Sequence, residues 1–109
     1  YDGGSYTIKN LHIDLGSSSY SALFAGISKD GVVKNISLKS CMITGGNYTS
    51  GIAGKNRGLI ENCKVSGFIH GDKYVAGIGG YNTGQVKKCS SLAVVSGNKT
   101  GGIVIDIVI

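Results

Sequence analysis

The residues able to do chemistry are few: six Asp and Glu, two His, three Cys and six Tyr in 109 residues. Hydrolytic or lyase chemistry needs carboxylates that meet, either as an acid/base pair or around a metal. Asp14, Asp30, Glu61, Asp72 and Asp106 are widely spaced, and neither His12 nor His70 belongs to an H-E-x-x-H helix motif. Cys41, Cys63 and Cys89 include no C-x-x-C pair, so no zinc site is expected. An odd cysteine count also argues against a disulfide framework. The chain is therefore expected to be no enzyme, and to need no cofactor and no metal. Tyr20, Tyr48 and Tyr74 are the exception to this sparseness, because they recur at nearly even steps.

The even steps belong to a repeat of about 26 residues. One block reads Ile8-Lys9-Asn10-Leu11-His12-Ile13, then Val33-Lys34-Asn35-Ile36-Ser37-Leu38, Ile60-Glu61-Asn62-Cys63-Lys64-Val65 and Val86-Lys87-Lys88-Cys89-Ser90-Ser91. A second block begins at each of the three tyrosines and runs into Gly26, Gly54 and Gly80, with a degenerate fourth copy at Lys99–Ile105. Between them lie the turns Lys29-Asp30-Gly31, Asn56-Arg57-Gly58 and Asn82-Thr83-Gly84. The apolar runs are short, β-branched and broken by Gly, as strands are and helices are not.

One such coil cannot bury its own apolar face, whereas stacked coils can, at the roughly 4.8 Å spacing of neighbouring strands. The expected fold is all-β: a single parallel β-helix (β-solenoid) of about four coils over 1–109, right-handed by analogy with most such helices. The 19 Gly and absent Pro fit this geometry, since corners need tight backbone and central coils must offer N–H groups on both sides. The opening at Tyr1-Asp2-Gly3-Gly4 is abrupt, and the chain is expected to be a fragment of a longer repeat array.

Stacking makes columns. Leu11, Ile36, Cys63 and Cys89 are expected in one inward column, and Phe24, Ile52, Ile78 and Ile103 in another. Asn10, Asn35 and Asn62 should form an amide ladder. Glu61 should stand among Lys9, Lys34 and Lys87, and Asp30 beside Arg57 and Thr83, so no two acids stack. Cys63 and Cys89 lie close enough for a disulfide, but parallel side-chain vectors rarely give its torsion near 90°. They are expected to be free, buried thiols.

Tyr20, Tyr48 and Tyr74 would line up as an aromatic strip, which either covers a sheet corner or offers a platform to a host glycan or protein ligand. The basic balance, 11 Lys and Arg against 6 acids, is scattered rather than clustered, so nucleic acid is not an expected partner. No run of 18 apolar residues exists to span a membrane as a helix. The run Ile103-Val104-Ile105-Asp106-Ile107-Val108-Ile109 has the character of an aggregation-prone strand. Self-association or end-capping through 103–109 is expected, and the solenoid should stop where Ile105 replaces the corner Gly.

Gly51-Ile52-Ala53-Gly54-Lys55-Asn56-Arg57-Gly58-Leu59-Ile60-Glu61-Asn62-Cys63 resembles the GLUG motif of bacterial cell-surface proteins, with Gly77–Cys89 as a second copy in which Lys88 replaces the Asn. The resemblance implies an extracellular, cell-surface β-helical module of adhesin-like proteins or of some immunoglobulin A1 peptidases. The expected function is a non-catalytic structural or adhesive segment. The alternative is an accessory glycan- or substrate-binding domain of a larger secreted peptidase or polysaccharide-processing enzyme.

Overall fold

The computed structural model describes residues 1–106, with side chains through Ile103. Among the described residues fifteen short strands pair in parallel, each with the equivalent strand of the next coil. The first and widest wall contains β1 (Thr7–Lys9), β2 (His12–Asp14), β5 (Ser37–Thr44), β8 (Lys64–His70), β12 (Ser90–Ser91) and β13 (Val94–Ser96). The second stacks β4 (Val32–Lys34), β7 (Leu59–Glu61) and β11 (Gln85–Lys87). The third stacks β3 (Phe24–Ile27), β6 (Ala53–Asn56), β10 (Gly79–Asn82) and β15 (Val104–Asp106). A short ladder of β9 (Lys73–Ala76) and β14 (Lys99–Gly101) closes the circuit. The chain is a parallel β-solenoid of about four coils, as the repeat requires.

From the second coil onward the register is the one read from the sequence. Val33, Ile60 and Val86 stack, as do Leu38 and Val65, and Ile43, Ile69 and Val95. The core runs down the axis through Ile36, Ile43, Ile52, Ile60, Cys63, Ile69, Val75 and Ile78, none more than 2% exposed. Burying each such side chain stabilises the fold by roughly 1.5–3 kcal/mol relative to exposure.

The first coil departs from expectation. Ile8 lies over Leu38 and Lys9 over Lys39, a step of 30 residues, while Ile13 lies over Ile43. Ile8 and Lys9 therefore belong to the first wall, not to the second as their likeness to Val33 and Lys34 implied. Asn10 consequently leaves the amide ladder and sits level with Ser40, both with φ 58°. Asp2 takes its place: its backbone pairs with that of Lys34, and its Oδ1 accepts from Asn35 Nδ2 at 3.0 Å. Phe24 pairs with Ala53 and Gly26 with Lys55, so these two also stand out of the expected columns.

The ladder runs through Ile105 to Asp106, the last described residue. β15 pairs with β10 from Val104 (on Gly79) to Asp106 (on Asn82), with a slip of register between them. That slip sets Ile105 against two residues, Gly80 and Tyr81, which replaces the missing glycine by an irregularity of the ladder. Of the run 103–109, residues 107–109 lie outside the described residues.

Candidate functional site

The three tyrosines meet as the spacing predicts. Tyr20 and Tyr48 stack with ring centroids 4.9 Å apart and planes within 9°, and Tyr48 and Tyr74 at 5.0 Å and 7°. Each enters from a left-handed backbone position, with φ of 59°, 60° and 62°. That conformation costs an ordinary residue about 1–2 kcal/mol, and an offset aromatic pair returns about 0.5–1.5 kcal/mol. Backbone donors hold the corner in place, Tyr20 N–H to Asn47 O and Tyr48 N–H to Lys73 O.

Glycine makes room for the ladder. Gly54 lies so close beneath Tyr20 that a Cβ there would come within 2.5 Å of the Tyr20 Cα, and at Gly80 a Cβ would come within 2.8 Å of the Tyr48 carbonyl carbon. Inside the corner, the buried Ser21 and Thr49 hydroxyls donate to the carbonyls of Ser18 and Gly46 at 2.9 and 2.8 Å. Each thus closes its own turn.

Both faces of the central ring are used by the stack itself. Tyr48 has Tyr20 on one face, Tyr74 on the other, and Tyr81 edge-on at 5.2 Å and 70°. Lys99 Nζ covers the Tyr74 ring at 5.2 Å, and Lys55 Nζ lies 5.5 Å from the Tyr81 ring centre. Burial, with the neighbouring phenols, raises the Tyr48 pKa above its ordinary value. A sugar packs on a ring face, so Tyr48 can offer a ligand only its edge and its hydroxyl. The row acts as a spine along the corner, with hydroxyls repeating at the coil spacing.

Two features escaped sequence reasoning. The first is a buried amide pair: Asn56 Nδ2 donates to Asn82 Oδ1 at 2.8 Å, and Asn56 Oδ1 accepts from Gly58 N–H at 3.0 Å. Both residues read as turn formers in Asn-x-Gly, and only their recurrence at 26 residues hinted at an internal ladder. The second is an exposed apolar strip on the first wall, where Met42, Phe68 and Val94 stack in register beside Leu92. They are 53%, 60%, 59% and 87% exposed, respectively.

The acids with described side chains do not converge. Glu61 stands between Lys34 and Lys87. Asp14 accepts from Gly16 N–H, and Asp72 accepts from the Asn98 side chain. Among the described residues, no three of His, Cys, Asp and Glu group as metal ligands. Cys41, Cys63 and Cys89 are free. Cys63 and Cys89 stand in adjacent coils, the Cys63 thiol donating to the Glu61 carbonyl at 3.4 Å and the Cys89 thiol to the Lys87 carbonyl at 3.2 Å. Interaction between the two thiols brings Cys89 down to about 7 and, with burial, pushes Cys63 up.

Among curated proteins the chain is similar to halomucin of Haloquadratum walsbyi (strain DSM 16790 / HBSQ001), 34% identical over 68 residues. The match covers 62% of this chain and 1% of that protein, so the chain corresponds to a very small part of it. No protein-family model matches the chain, and no solved structure matches it significantly.

Proposed function

We propose that this chain is a non-catalytic structural repeat module of a cell-surface or secreted protein, of the GLUG kind that its motifs resemble. The observation that carries this reading is the continuous Tyr20–Tyr48–Tyr74 ladder, which ties successive coils together and spends both ring faces of Tyr48 internally. Such a ladder suits a spacer that keeps a chain extended and stiff. Four acids support the same reading: Asp2 and Asp14 accept from backbone N–H groups, Asp72 from an amide, and Glu61 stands in a charge column. The likeness to a short stretch of halomucin fits an extracellular segment that forms a small part of a long protein.

The test is placement and reach. Antibody to this segment should label intact cells carrying the parent protein, and deleting the segment should shorten the protein's projection without abolishing any activity elsewhere in it. Labelling only after permeabilisation would refute the surface assignment. An adhesive role is read separately on a glycan array: a glycan bound by the native chain and lost by Tyr48→Ala and Tyr74→Ala would assign adhesion to the tyrosine row. Binding by neither leaves the spacer role alone.

A further inference from the structure

The exposed apolar strip of the first wall is used neither by the core nor by the tyrosine spine. Met42, Phe68 and Val94 stack in adjacent coils under His12, Leu92 stands beside them, and all four apolar residues are more than half exposed. They point away from the axis, because their neighbours Cys41, Ile43 and Ile69 are buried in the core and a strand alternates its faces. A coil stacked above or below therefore leaves this side of the solenoid open. Contiguous exposed apolar surface of this kind marks a contact site.

The charges that flank the strip differ on its two sides. Before it in strand order stand the exposed Lys9, Lys39 and Lys64: Lys9 pairs with Lys39, and Lys64 pairs with Ser37. After it stand Asp14, two residues beyond His12 in β2, and Asp72, two residues past the end of β8, both exposed. The wall thus runs from cation through apolar to anion. Lys9 and Asp14 share the first coil, and Lys64 and Asp72 share the third.

A surface ordered in this way is complementary to itself. A two-fold axis along the strip turns the lysine side of one copy onto the acid side of the other and keeps every coil at its own height. Lys9 then meets Asp14, Lys64 meets Asp72, and Phe68 packs on Phe68. A two-fold axis across the wall would set lysine against lysine. We infer that two copies of this chain associate side by side, first wall to first wall, with their solenoid axes parallel and pointing the same way. The contact is isologous and closes at two copies. β5 is eight residues long, so four coils of this wall cover roughly 500 Å² at about 3.3 Å per residue and 4.8 Å per strand. About 1,000 Å² between two copies is at the low end for a specific interface, so the 109-residue chain pairs weakly. The contact is lateral and involves none of residues 103–109.

Sedimentation equilibrium of the 109-residue chain up to about 1 mM tests it. The expected result is a monomer–dimer equilibrium that weakens with added salt and goes no further than two. Phe68→Ser removes the exposed ring at the centre of the strip and should weaken pairing at least about tenfold. Lys64→Glu alone and Asp72→Lys alone should weaken it by a similar factor, since each sets like charges together. An equimolar mixture of these two should pair as a heterodimer, and the double variant Lys64→Glu/Asp72→Lys should pair with itself again. Circular dichroism reads the folding of each variant. If Asp72→Lys, which loses the contact with Asn98, does not fold, Phe68→Ser and Lys64→Glu carry the test. A monomer at every concentration overturns the inference, and so does association beyond two copies. Pairing indifferent to Phe68→Ser or to Lys64→Glu overturns it as well, as do folded charge reversals that fail to rescue each other.

Discussion

Replacing Gly80 by Ala should destabilise the chain through contact between coils, and Gly26→Ala should not. At Gly80 the new Cβ would lie 2.8 Å from the Tyr48 carbonyl carbon and 2.9 Å from its Cα and carbonyl oxygen. All three are backbone atoms of the overlying corner, so no flexible side chain can yield. Overpacking of this kind costs typically about 1–3 kcal/mol. At Gly26 the nearest atom is the Lys55 carbonyl oxygen at 3.9 Å, an ordinary contact. There Ala should be neutral or stabilising by about 0.4–1 kcal/mol, because it restricts the unfolded chain. Neither glycine has a positive φ, so the comparison isolates interlayer space from backbone conformation. The difference of roughly 1–4 kcal/mol corresponds to about 4–32 °C in Tm at about 4–8 °C per kcal/mol. Thermal melts by circular dichroism, with near-ultraviolet tyrosine ellipticity as the local signal, give both readings. If Gly80→Ala melts at or above the wild-type temperature, the argument that glycine clears space for the tyrosine ladder is wrong.

Three further outcomes follow from the same geometry. Cys89 should alkylate with iodoacetamide with a rate that rises through about pH 7, ahead of Cys41 and Cys63, whose thiols are shifted upward; simultaneous labelling of all three, read by mass spectrometry, would contradict this. Asn56→Ala strips partners from the Gly58 N–H and the Gln85 carbonyl, and at about 1–3 kcal/mol for a buried polar group left unmet it should lower the urea midpoint clearly, whereas an unchanged midpoint would deny the buried ladder any role. Asp2 has a folded pKa below its ordinary 3.8, so its contribution is complete above that value and is lost as pH falls through the lower folded value; the Gly4 and Asn35 amide resonances should titrate below pH 3.8.

Coils two to four were legible because their steps of 26 and 27 residues keep every apolar position on its column. Coil one was misread because Ile8-Lys9-Asn10-Leu11 looks like Val33-Lys34-Asn35-Ile36. The likeness reflects a shared local need for a left-handed Asn after a strand, met at a bend of another wall. A similar backbone conformation says nothing about which strand lies beneath, and the longer step of the first coil can be seen only in the pairing. The tyrosines were found by spacing, but their ring orientation was not, since a period fixes height along the axis and leaves side-chain rotation free. The exposed strip Met42–Phe68–Val94 was hidden for a related reason: alternation marks one face as apolar, and these residues make the opposite face apolar too.

The left-handed tyrosines carry a consequence for mechanical load. A coil taken alone bears the strain of its Tyr and none of the benefit, because the ring contact exists only with a neighbour. Each coil is therefore poor in itself and rich in its interfaces, the condition under which a one-dimensional array yields together instead of fraying unit by unit. Pulled from its two ends, the chain should hold its length up to a threshold and then give way in one large extension.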